Sequence, residues 1–81
     1  MIIDYHEVER TSQELRIYIG VTFEDEPDDK YVVAIHYALD AEKAQVKLMF
    51  NGYVCPYDFS QEELQLISDY VNQHQLFDVQ D

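Results

Sequence analysis

The sequence predicts a small α+β domain: an antiparallel sheet of four short strands, extended by a fifth brief pairing, with one C-terminal helix packed on one face. Three observations carry this reading. Residues 15–39 contain two runs in which every odd position is large and apolar, joined by the acidic segment Glu24-Asp25-Glu26-Pro27-Asp28-Asp29. Side chains alternate faces along a strand, so each run presents one apolar stripe. Val46, Leu48 and Phe50 continue the alternation in a third run. From residue 60 the period changes from two to the helical 3.6, behind a capping signature.

Taken in order, Ile3 and Tyr5 alternate with Asp4 and His6, which reads as a strand over 2–9. Ile2, Tyr5 and Val8, spaced by three, also suit a helical turn. The strand is preferred because Thr11-Ser12-Gln13 then forms a polar turn into Leu15. The next strand directs Leu15, Ile17, Ile19, Val21 and Phe23 inward, and its partner directs Tyr31, Val33, Ile35, Tyr37 and Leu39. The opposite face carries Arg16, Tyr18, Gly20, Thr22, Val32, Ala34, His36 and Ala38. Pro27 fixes φ and lacks an N–H, so it should interrupt the ladder between these strands.

Asp40-Ala41-Glu42-Lys43 reads as a second polar turn. Asn51-Gly52 is a type I′ hairpin signal, since both residues tolerate positive φ. It folds Tyr53, Val54 and Cys55 back beside residues 48–50 until Pro56 ends the pairing. Ser60 and Glu63 have the spacing of a capping box, flanked by Phe59 and Leu64 at staple positions. Leu64, Ile67, Val71 and His74, with Tyr70 beside them, then mark the buried face of a helix over about 61–75. Leu76, Phe77 and Val79 form an apolar tail.

Eighty-one residues make one domain, 1–81, built from two layers. Such a chain buries only about 60% of its unfolded surface, so its core is thin. Seventeen acidic residues against five basic ones give a net charge of −12. That surface repels nucleic acid and anionic lipid and attracts basic partners. Direct nucleic-acid binding needs a basic footprint that five scattered cations do not supply. The single cysteine, Cys55, permits no intrachain disulfide. With an acidic rather than basic start and no long apolar run, the expected location is the cytoplasm.

The usual signatures of reaction chemistry are missing. His6, His36, His74 and Cys55 are scattered, without the i, i+3 or i, i+4 spacing or paired cysteines of a metal site. The acidic turn lacks the alternating ligands and glycine of a calcium loop. Two glycines make no phosphate-cradling loop. No metal, cofactor or catalytic residue is therefore assigned, and the chain is expected to be no enzyme.

Protein binding remains. Seven tyrosines offer rigid apolar area with a hydroxyl, as interface hot spots do. The expected partner-binding patch is Glu24, Asp25, Glu26, Asp28 and Asp29, with Tyr31 and Tyr53 for specificity. Its expected partner is a basic protein that itself binds nucleic acid. In charge and length, and in no motif, the chain is similar to small phage inhibitors that imitate DNA. That likeness implies occupation of a basic site. An immunity protein or antitoxin against a basic toxin would use the same physics. The third reading is a small homo-oligomeric accessory domain with incidental acidity, using the apolar outer face around Tyr18 as a homodimer or partner surface.

Overall fold

The computed structural model describes residues 1–38 and 44–76. Five strands follow one another as an antiparallel meander: β1 (Ile2–Arg10), β2 (Glu14–Phe23), β3 (Glu26–Ala38), β4 (Gln45–Phe50) and β5 (Tyr53–Cys55). The helix α1 (Gln61–Gln73) packs on one face of that sheet. Each connection is short, so sequence neighbours are also sheet neighbours.

The alternating stripe is the core. Leu15, Ile17, Ile19, Val21, Val33, Ile35 and Leu48 are buried, and Ile67, Val71 and Leu76 cover them. No polar side chain is buried among the described residues. The registers Ile17↔Ile35, Ile19↔Val33 and Val33↔Leu48 bring these apolar groups side by side, because directly opposed residues share a face.

The two hairpins turn differently. Asn51 and Gly52 adopt positive φ (52° and 83°), as a type I′ turn requires. Glu24-Asp25 turns without positive φ and β3 starts at Glu26, so the tight turn is two residues rather than the six of 24–29. Pro27 nonetheless disturbs the ladder. The register runs from Val21↔Tyr31 to Phe23↔Glu26, leaving 27–30 opposite Thr22 alone.

The first strand departs from the alternation. A bulge at Asp4 shifts the register between Ile3↔Val21 and Tyr5↔Gly20. Ile3 packs against the core, whereas Tyr5 turns to the opposite face and lies over Gly20. His6, opposite Ile19, joins the helix side.

Ser60 accepts a hydrogen bond from the Glu63 N–H (3.1 Å), and Glu63 accepts one from the Ser60 N–H (2.9 Å). Leu64 is 42% exposed, so the buried stripe of α1 is Ile67 and Val71 with half-buried Tyr70; His74 is exposed too. The helix stops at Gln73, two residues before the expected end. Gln75 takes φ 55°, and Leu76 and Gln75 donate to the Val71 and Asn72 carbonyls (3.0 and 3.2 Å). This Schellman closure turns Leu76 back into the core beside Val71. The expected turn at 40–43, Leu39, Phe77 and Val79 lie outside the described residues.

Candidate functional site: an acidic end built on aromatic rings

The β2–β3 hairpin ends beside the segment that enters α1. Five rings link the two. Phe50 packs on Tyr31 (centroids 4.9 Å apart), Tyr31 on Phe23 (5.2 Å), Phe23 on Tyr57 (5.8 Å) and Tyr57 on Phe59 (5.0 Å). Offset and edge-on contacts of this kind add to burial itself. A groove of about 260 Å³ opens along them, lined by Phe23, Tyr31, Tyr57, Leu48, Cys55 and Pro56, with the carboxylates of Asp25 and Glu26 at its rim.

The hydroxyls at the groove are held by acids. Tyr57 donates to Glu63 Oε2 (2.6 Å) and Tyr31 to Glu26 Oε2 (3.3 Å). The bond to Glu63, then burial, then the charges of Glu63 and Asp25 push the Tyr57 phenol up to about 12. Burial, then Glu26 and Asp29, push Tyr31 above its ordinary value. Burial would raise the Glu63 carboxyl, but the Tyr57 hydroxyl and the N–H and hydroxyl of Ser60 hold it below the ordinary range. Both tyrosines therefore stay neutral donors at physiological pH, and Glu63 stays ionised. The end presents fixed negative charge on an apolar ring platform.

Of the expected patch, Glu24 and Asp25 form the turn itself, exposed. Glu26 opens β3, exposed Asp28 and half-buried Asp29 occupy its irregular stretch, and Tyr31 lines the groove. Tyr53 is 77% exposed and stands one ladder step away, across from Phe50. The residues that sequence reasoning did not place here are Phe23, Phe50, Cys55, Tyr57 and Glu63. Phe23 and Phe50 read as core positions and Glu63 as a cap. Some 30 residues separate Asp25 from Tyr57, and no local pattern announces that they meet.

Elsewhere Glu14 and Tyr70 each gather ring or cationic partners. Arg16 Nη2 lies 2.5 Å from Glu14 Oε1, and His36 Nε2 lies 2.6 Å from Glu14 Oε2. The His36 contact, opposed by burial and aided by Arg16, holds the Glu14 carboxyl below the usual range. His6 Nδ1 and the Tyr70 hydroxyl are 2.7 Å apart, with the His74 ring stacked beside Tyr70. Among the described residues no three His, Cys, Asp or Glu side chains converge as metal ligands. No helix among them is long and apolar enough to cross a membrane. No protein-family model matches the sequence, no curated protein matches it, and no solved structure matches the fold.

Proposed function

We propose that this chain is a non-enzymatic binding protein whose acidic end occupies a basic site on a partner, in the manner of a nucleic-acid-mimicking inhibitor. The observation that carries the reading is the meeting of Asp25 and Glu26 with the α1 N-terminus around the Phe23–Tyr31–Tyr57 groove. Fixed carboxylates raise the local potential and speed encounter with a basic cleft. Charge alone is promiscuous, and rings beside it supply shape and apolar contact. The partner expected from this chemistry is a protein that itself binds DNA or RNA, with which nucleic acid would compete. An immunity-type role against a basic toxin would use the same end.

The test captures basic proteins from lysate on the wild-type chain and then measures association rate against salt. Replacing Glu24, Asp25, Glu26, Asp28 and Asp29 with Gln or Asn should slow association by about tenfold or more and flatten its salt dependence. Dissociation should change less. Binding by the neutralised chain at the wild-type rate would reduce the end to a solvated surface. Capture of no basic partner would remove the proposal.

A further inference from the structure

Among the described residues, the strand positions on the face of the sheet away from α1 are nearly balanced in charge, although the chain carries −12. Three cross-strand rows cross it. The first is apolar throughout: Tyr5, Gly20, Val32, Met49 and Val54. The second runs Glu7, Tyr18, Ala34, Lys47, an acid at one flank and a base at the other. The third is Glu9, Arg16, His36, Gln45. Glu7, Glu9 and Glu14, the last opposite Ala38, thus share this face with Arg16, Lys47 and Lys30, and Lys30 lines the shallow groove with Tyr5 and Val32. Among the described residues, three bases therefore stand on this face with three acids. Tyr5 and Val54 are 50% and 57% exposed there.

We infer that this face is the docking surface for a second copy of the chain, joined by a two-fold axis that runs along the strands between β2 and β3. Rotation about that axis carries β1 onto β4 of the other copy and β2 onto β3. Glu7 then faces the second copy's Lys47, and Lys47 faces its Glu7, so one self-complementary row yields two ion pairs. Tyr18 faces Ala34, large on small, at both symmetric positions. Tyr5 meets Met49, and Gly20 meets Val32. An isologous contact needs this kind of self-complementarity. Two sheet faces packed at about 10 Å leave a Glu and a Lys at the flanks within reach of each other. A basic partner would find no net attraction on a balanced face, so the occupant that the charges fit is another copy. The operation keeps strand direction, so both acidic ends point the same way.

Sedimentation equilibrium from about 10 μM to 1 mM in 150 mM salt tests this, the salt screening repulsion between the paired ends. The wild type should dimerise. Glu7→Lys and Lys47→Glu should each weaken self-association at least about tenfold, since each reversal acts twice. Mixing the two single variants should restore a heterodimer, because each Lys then faces a Glu. Met49→Glu, placed in the apolar row, should give a monomer with an unchanged far-ultraviolet circular dichroism spectrum. A wild type that stays monomeric at 1 mM overturns the inference. So does a dimer indifferent to both reversals, or a failure of the mixed variants to pair. A monomer that instead loses a captured partner on Met49→Glu would assign the face to that partner and overturn it equally.

Discussion

The two faces of this sheet share every strand yet are filled by different rules. The helix side takes Leu15, Ile17, Ile19, Val21, Val33, Ile35 and Leu48, all apolar and all buried under α1. The open side takes glycine, alanine, valine, tyrosine and six charged residues. The difference teaches where a thin two-layer domain keeps its stability. The hydrophobic effect scales with apolar area removed from water, and only one face removes much. The other face is left free to be chosen for what it meets.

The sharpest way to break this comparison is to truncate both faces equally. Ile19→Ala and Ile35→Ala should each destabilise by about 2–5 kcal/mol, because each leaves a cavity under the helix. Val32→Ala, half-buried on the open face, should cost clearly less. Urea melts of all three at a concentration where the chain is monomeric check this, and a Val32→Ala loss equal to that of Ile19→Ala would erase the distinction.

A smaller effect sharpens the open face. Gly20 is covered by Tyr5, and a Cβ at that position would overlap the tyrosine ring. Gly20→Ala should therefore displace Tyr5 and destabilise by about 1 kcal/mol. The same substitution should be neutral or stabilising in a Tyr5→Ala background, as strand alanine orders more easily than glycine. A double-mutant cycle with no coupling would show that Tyr5 does not depend on the gap.

The smallest effect concerns how the covered face is closed. The start of α1 is pinned by Ser60, Glu63 and Tyr57. The Tyr57 phenol has a folded value of about 12 against an ordinary 10.0, so it is raised. A raised group contributes stability that is complete below about pH 10 and is lost as pH climbs towards about 12. The carboxyl of Glu63 is lowered, so its contribution is present above the ordinary carboxylate range and is lost as pH falls through its folded value. Thermal melts between pH 9 and 12 should show a smaller alkaline loss in Tyr57→Phe than in the wild type. Identical alkaline profiles would show that the Tyr57–Glu63 bond does not hold the helix start.

Much of the fold was legible because alternation and capping are local. The runs at 15–23 and 31–38, the third at 45–50, the Asn51-Gly52 hairpin and the Ser60–Glu63 box each report their own conformation within a few residues. The bulge at Asp4 was not legible, since alternation in a mixed run is satisfied by either face. Leu64 fell on the helical stripe by spacing yet is exposed, because Phe59, Tyr57 and the hairpin end, rather than the sheet centre, lie near the first turn of α1. The acids and Tyr31 of the candidate site could be named from composition, but its ring platform could not.

The amino-acid sequence by itself determined the order of the elements from β2 onward, the buried stripe of the sheet and the excess of negative charge, because each is set by residue type and short-range period. Only the tertiary structure decided which acids stand together and which face stays near neutral. Both depend on strand register and on the meeting of residues 23–31 with 55–63. A one-residue bulge sends Tyr5 across the sheet and aligns Glu7, Tyr18, Ala34 and Lys47 in one row. Register is a property of paired strands, fixed by the packing of the whole face, and no single strand carries it.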